Sequence, residues 1–108
     1  MPDYEHNVYY NPEKWGLEQV AVIELEDDAY SFDTLVVWRE IETGRHWWAR
    51  DSGCSCPTPF EDYNSFSDLH AFDLPEVRNI VLGEMTMRNI TAEVAAIFLD
   101  TLQNKGIR

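Results

Sequence analysis

A chain of 108 residues is expected to form one domain, because it can bury a real core but is too short to build two. Its 20 acidic and 8 basic residues give a net charge of −12, which disfavours direct binding of nucleic acid, anionic lipid or acidic substrates. With 44% hydrophobic residues and no apolar run of roughly 20 residues, we expect a folded protein without membrane contact. The first residues lack the basic and apolar regions of a signal peptide, which predicts a cytoplasmic location.

The negative charge is concentrated near the N-terminus. Residues 1–31 hold eight acidic residues and one basic residue, Lys14, so this segment carries −7 of the total −12. Such a concentration attracts a basic protein surface, although a solvated turn that keeps the protein soluble would have the same composition. Its densest group consists of Glu24, Glu26, Asp27 and Asp28.

Residues 1–19 form an N-terminal segment that is rich in aromatic side chains. Tyr9 and Tyr10 precede Asn11 and Pro12, and tyrosine contributes strongly to the binding energy of protein interfaces. Both tyrosines are therefore candidates for contact with a partner. The alternative is that the segment packs over the sheet and covers one open edge of the core.

Residues 20–50 predict a three-stranded antiparallel meander. Residues 20–26 alternate between apolar and acidic side chains, which is the period-2 pattern of a half-buried strand. Residues 32–41 are rich in β-branched and aromatic side chains and predict the middle strand. Gly44 then suits a hairpin loop that requires a positive φ, and residues 46–50 are extended again.

Two adjacent tryptophans lie in the third predicted strand. Alternation along the strand places Trp47 and Trp48 on opposite faces of the sheet. We expect one ring in the core, and an exposed second ring would indicate a binding surface.

A loop rich in cysteine and proline is predicted over residues 51–63. In the favoured interpretation it is a rigid turn, in which Asp51 and Ser52 hydrogen-bond the backbone and Gly53 adopts a left-handed conformation. Both cysteines then pack as small hydrophobic side chains. The residues assigned to this structural turn are Arg50, Asp51, Ser52, Gly53, Cys54, Cys56 and Pro57.

Two thiols one residue apart also allow a metal or redox site. Cys54 and Cys56 can both ligate zinc, with His46 as a candidate third ligand, but the chain has no second cysteine pair to complete such a site. A thiol beside Arg50 can ionise more readily and react. We expect no cofactor, and zinc is the alternative.

Residues 64–90 predict short elements. Ser65 with Asp68 resembles a capping box, which opens a short helix through Phe72. Residues 75–82 fit two structures equally well, a helix with Pro75 in its first turn or a buried strand.

The C-terminal helix is the clearest element of residues 64–108. Thr91 is its predicted N-cap, and Gly106 ends it. A helix that covers a meander makes an α+β fold. Side chains three or four positions apart predict its core face, and they are Val94, Ile97, Phe98 and Leu102.

Catalytic arrangements are weaker than the binding interpretation. Asp51, Glu61 and Asp62 can pair for acid–base chemistry, and His46 or His70 can act as a base, but no known mechanism requires these spacings. The sequence contains neither a nucleophile elbow nor a Gly-rich phosphate loop. A binding protein is therefore a better prediction than an enzyme.

Three stretches of the chain resemble a small uncharacterised protein family encoded by actinobacterial phages and some actinobacteria. They are NVYYNPEKWGL at residues 7–17, FDTLVVW at residues 32–38 and ARDSGCSCP at residues 49–57. The resemblance implies a phage or prophage origin, and it brings no activity with it.

The sequence therefore predicts a small acidic phage-type protein that binds a host or phage protein. Inhibition of that protein and mimicry of nucleic-acid charge are two forms that this binding can take. The rival is a metal-stabilised or thiol-active domain centred on the two cysteines. The residues predicted to contact the partner are Glu24, Glu26, Asp27, Asp28, Tyr9 and Tyr10.

Overall fold

The predicted meander is present, and the sheet has a fourth strand. In a computed structural model, which describes residues 6–26, 30–54 and 59–107, the sheet order is β1-β2-β3-β4 and all neighbours are antiparallel. Two helices follow the sheet in the chain, so the α+β class is confirmed. The elements are β1 (Leu17–Glu24), β2 (Ser31–Glu40), β3 (His46–Cys54), β4 (His70–Ala71), α1 (Leu74–Thr86) and α2 (Ala92–Asn104).

β1 contains a bulge that exchanges the faces of the strand. Its register with β2 shifts between Gln19 and Ala21. Leu17 therefore packs in one core, while Ala21 and Ile23 pack in the other. In a regular strand Leu17 and Ala21, four residues apart, would share a face.

The sheet is buried on both faces rather than on one. On one face, Leu35 and Val37 of β2 join a core with α1 and α2. On the other, Val36 and Trp38 join a second core. The fold therefore has three layers, because four consecutive apolar residues in β2 require cover on both sides.

The third layer is irregular and consists of residues 6–16 and 59–69. Asn7 joins its two parts, because its Nδ2 donates to the carbonyl of Pro59 at 2.9 Å. The Asn7 Oδ1 accepts the backbone N–H groups of Tyr9 and Tyr10 at 2.7 and 3.1 Å. Phe60, which is fully buried, packs between Tyr9 and Trp38. The described part of the N-terminal segment before β1 thus covers a face of the sheet.

The tryptophan pair divides between the two faces, as the alternation predicts. Trp48 is 7% exposed and lies in the core below the helices. Trp47 packs against the second core, where its ring meets Phe66 at 5.4 Å. Since the third layer covers this face, Trp47 is not the exposed ring that would have indicated a binding surface.

The segment after the cysteines differs from the prediction at two places. The predicted capping box of Ser65 and Asp68 is confirmed, and Asp68 accepts the Ser65 N–H at 3.2 Å. The helix that it opens is shorter than predicted, because it is a 3-10 helix over Phe66–Asp68 and does not continue to Phe72. His70 and Ala71 then pair with β3 as β4. The open alternative at residues 75–82 is settled as a helix, with Pro75 in the first turn of α1.

Both predicted ends of α2 are confirmed. The Thr91 hydroxyl accepts the backbone N–H of Val94 at 3.1 Å, and Gly106 has a φ of 68°. Gly44, in the β2–β3 hairpin, also has the expected positive φ, of 78°. Neither α2 nor any other helix in the described ranges has the length and apolar character needed to cross a membrane.

The core face of α2 was predicted only in part. Phe98 and Leu102 are buried, together with Ala95. Val94 and Ile97, however, are 40% and 60% exposed. The helix is rotated so that these two side chains form an adjacent stripe outside the core.

Two neighbouring residues on α2 test this rotation. Phe98→Ala should lower the free energy of unfolding by about 3–5 kcal/mol, because it leaves a cavity in the core. Ile97→Ala should cost less than about 1 kcal/mol, because its side chain is largely in water. Urea unfolding followed by circular dichroism measures both. Equal losses for the two variants would contradict the assigned orientation of α2.

Candidate functional site

An open groove of about 1020 Å³ runs between β1 and α2. Three parts of the chain form it, namely the second half of β1 with Glu26, the turn between α1 and α2, and one side of α2. Phe98 belongs to both the groove and the core, so the groove is continuous with the packed interior.

The helix side of the groove is apolar and exposed. Val94 and Ile97 line it, followed one turn later by Thr101. Apolar side chains that line a concave surface and remain in water are typical of a contact site for another molecule. The exposed stripe on α2 is therefore the strongest binding signal in the described part of the chain.

The strand side of the groove presents a backbone edge. The Leu25 N–H donates to the Asp33 carbonyl at 2.6 Å. In an antiparallel pair every second residue bonds to the neighbouring strand, so Ile23 and Ala21 also bond to β2. Val22 and Glu24, between them, direct their N–H and C=O groups away from β2. No described strand pairs with β1 on that side.

The same edge is occupied at Val20. The Lys105 ammonium donates to the Val20 carbonyl at 2.9 Å, and the bulge at this position interrupts the regular spacing of the edge. A lysine and a bulge are two devices that protect sheet edges from unwanted pairing. The unprotected part of β1 is thus the part that lines the groove.

The turn at the end of the groove is held by an ion-pair cluster. Arg50 forms a two-pronged pair with Asp33, at 2.8 and 2.6 Å, and also donates to Glu84 of α1 at 2.8 Å. Glu84 in turn accepts from the side chain of Asn89 at 2.6 Å. The hydrogen bonds and negative charges of Asp33 and Glu84 raise the pKa of Arg50 further above its usual range, although partial burial acts in the opposite direction. Arg88, in the same turn, adopts the left-handed conformation with a φ of 65°.

The predicted rigid turn at residues 50–54 is wrong, because these residues belong to β3. Gly53 pairs with Phe32 of β2 as part of the strand. Arg50 is structural, as predicted, but through the ion-pair cluster. Asp51 accepts the backbone N–H of Phe60 at 2.7 Å, and Ser52 is exposed. Cys56 and Pro57 lie outside the described residues.

Two of the three candidate zinc ligands, His46 and Cys54, lie far apart. His46 and Cys54 are the first and last residues of β3, so their backbones are roughly 26 Å apart at about 3.3 Å per residue. One zinc ion cannot bind both, because its ligands lie within a few ångströms of each other. Across residues 6–26, 30–54 and 59–107, no group of three or more His, Cys, Asp or Glu side chains is arranged to hold a metal ion.

The predicted partner-binding residues lie in two places. Glu24 and Glu26 border the groove. Tyr9 and Tyr10 lie in the third layer, on the other face of the sheet; Tyr9 stacks on Phe60 and Tyr10 is 48% exposed. Burial raises the pKa of Tyr9, and the nearby Tyr10 and Glu24 raise it further. Asp27 and Asp28 lie outside the described residues.

Sequence reasoning missed Val94 and Ile97 as site residues. It assigned both to the core, because they fit the spacing of a buried helix face. A signal was present, since the apolar residues of α2 also include Ala95, Ala96 and Leu99. That stripe is wider than one packed face of a helix requires.

Comparison with known proteins gives one family. A family model described as a domain of unknown function, DUF7574, matches residues 6–104. The comparisons with curated proteins and with solved structures found no match.

The ion-pair cluster should contribute to stability more than a surface pair does. Arg50→Met leaves Asp33 and Glu84, 18% and 14% exposed, without their cation. We expect a loss of about 2 kcal/mol, below the roughly 3–5 kcal/mol of a fully buried pair, because Arg50 is partly exposed. The matched control Arg39→Met breaks an exposed pair with Glu18 and should cost less than about 1 kcal/mol. Urea unfolding measures the free energy of unfolding of both variants. A larger loss for Arg39→Met than for Arg50→Met would refute this assignment.

His46 should make the protein less stable in mild acid. Burial lowers the pKa of His46 below its ordinary value, and the neighbouring Arg39 lowers it further. Since the unfolded chain binds this proton more readily, stability is lost as the pH falls below about 6.5. His46→Gln should lose less stability than the native protein between pH 7 and pH 5, measured by thermal unfolding. An identical pH dependence in the two proteins would exclude His46 as the cause.

Proposed function

The chain belongs to the family of the domain of unknown function DUF7574, and since that description assigns no activity, we propose a function from the groove: the protein binds a segment of another protein between β1 and α2. The exposure of Val94 and Ile97 carries this proposal. Covering an isoleucine or valine side chain is favourable by about 1.5–3 kcal/mol when burial is complete. A partner that covers the stripe would recover much of this free energy.

The shape of the groove favours a protein segment over a small molecule. Small-molecule sites enclose most of their ligand in a concave pocket. This groove is open along its length, and Ile97 remains 60% exposed in its wall. A strand edge on one side and a helix on the other offer an elongated surface, which suits a stretch of polypeptide.

The charge of the protein favours a basic partner. The net charge is −12, and Glu24 and Glu26 border the groove. An acidic surface increases the rate at which a basic partner associates and repels acidic competitors. An acidic inhibitor that covers a basic nucleic-acid-binding surface of a host or phage protein is the form of this function that the charge of the chain favours.

One substitution in the groove and one outside it test the proposed function. Ile97→Asp places a charge in the apolar wall and should weaken partner binding at least tenfold. Ile41→Asp is the matched control, because Ile41 is 52% exposed but lies in the hairpin after β2 and does not line the groove. Immobilised native protein and both variants are incubated with lysate of the organism that encodes the chain, and retained proteins are compared by mass spectrometry.

The expected result is a partner retained by the native protein and by Ile41→Asp and lost from Ile97→Asp. Retention should fall when salt is raised from low to high concentration, because charge contributes to association. A partner retained equally by all three proteins would place the binding surface elsewhere. The absence of any specifically retained protein would refute the proposed function.

A further inference from the structure

We propose that the partner segment binds as an added strand, in extended conformation, along the free edge of β1. This inference rests on the proposed function and specifies the chemistry of the partner. Every second side chain of the segment is apolar and faces α2. The side chains between them lie on the other face of the sheet, and at least one of them is Lys or Arg. Each part of this description follows from a separate feature of the groove.

The backbone of β1 supplies the first feature. Val22 and Glu24 direct two N–H and two C=O groups toward the groove, because their neighbours in the strand bond to β2. This row has the spacing of a sheet ladder, and an extended chain can bond to all four groups. A helix in the groove would leave these groups to water, because its own backbone groups bond within the helix.

The position of the free edge supplies the second feature. Lys105 and the bulge occupy the edge at Val20, while the edge beside Val94 and Ile97 is unprotected in the described part of the chain. If Lys105 and the bulge served only to protect β1 from pairing with another strand, we would expect such protection along the whole edge. Here the protection ends where the apolar groove begins, so an added strand has a defined length and register.

The two faces of β1 determine the side chains of the added strand. Ala21 and Ile23 face the helix layer, so side chains of the added strand on this face contact Val94 and Ile97. Glu24 pairs with Thr34, which puts its side chain on the opposite face. A residue beside Glu24 on that face should be Lys or Arg, because opposite charges on neighbouring strands attract.

The carboxylate of Glu24 is held in place for such a pair. It accepts the Asp33 N–H at 2.6 Å and the Thr34 hydroxyl at 2.7 Å. A carboxylate has about four acceptor positions, so a basic side chain can bind without displacing either donor. This fixed position makes Glu24 the main determinant of charge in the partner.

A second copy of the chain fits this edge poorly. Pairing of β1 with itself would bring together two proteins of charge −12. It would also place Glu24 of each copy beside the acidic edge of the other, and like charges on neighbouring strands repel. The occupant is therefore a segment of a different, basic protein.

A library of random nine-residue peptides displayed on a surface tests the proposal with native protein as bait. Enriched peptides should alternate apolar residues with Lys or Arg. Their affinity should fall about tenfold for Val22→Pro, which removes one edge N–H. Val22→Ala shortens the same side chain but keeps the N–H, so it should lower the affinity clearly less than Val22→Pro does. Circular dichroism checks that both variants fold, since proline is tolerated on edge strands.

N-methylation of the peptide provides a measurement that does not depend on folding of the proline variant. An added strand bonds to β1 through every second residue. Methylating successive backbone nitrogens of an enriched peptide should therefore weaken binding at alternate positions only. Equal losses at every position, or at none, would overturn strand addition.

The remaining outcomes separate this inference from the proposed function. Enriched peptides with apolar residues three and four positions apart, sensitive to Ile97→Asp but not to Val22→Pro, would overturn strand addition and leave groove binding intact. A library with no enriched peptide would overturn both. Sedimentation that shows a dimer of the native protein and a monomer of Val22→Pro would assign the edge to a second copy and would also overturn the inference.

Discussion

β1 has one more residue than β2 across the bulge between Gln19 and Ala21, and much of the molecule depends on this extra residue. It sends Leu17 into the core of the third layer and Ala21 into the core below the helices. One edge strand can therefore anchor both layers. The same irregularity coincides with the Lys105 contact at Val20 and separates the bulged part of the edge from the regular part that lines the groove. Packing and the candidate binding surface thus have a common origin in one strand.

The ion-pair cluster connects the sheet to the other end of the groove. Arg50 joins Asp33 of β2 to Glu84 of α1, and Glu84 also holds Asn89 in the turn before α2. The position of α2 relative to β1 depends on this turn. A fixed groove costs less conformational entropy on binding than one that must be ordered by its partner. Arg50, which the sequence assigned to a structural turn, holds the turn at the end of the groove through its ion pairs.

The meander and α2 could be predicted because local patterns determine them. Gly44 and Thr91 carry the backbone conformation and the cap that their positions require. The third layer could not be predicted, since it depends on contacts such as the one between Asn7 and Pro59, far apart in the sequence. The groove was missed for a related reason. Periodicity shows that Val94 and Ile97 share a face with Phe98, but only the packed structure shows which part of that face the sheet covers.

Amide hydrogen exchange along β1, measured by NMR with and without a saturating selected peptide, tests the central claim most directly. In the free protein the amides of Val22 and Glu24 should exchange much faster than that of Ile23, which bonds to β2. With the peptide bound, Val22 and Glu24 should become protected while Ile23 changes little. Exchange of Val22 and Glu24 that is already slow in the free protein, or that the peptide leaves unchanged, would contradict a strand-binding groove beside β1.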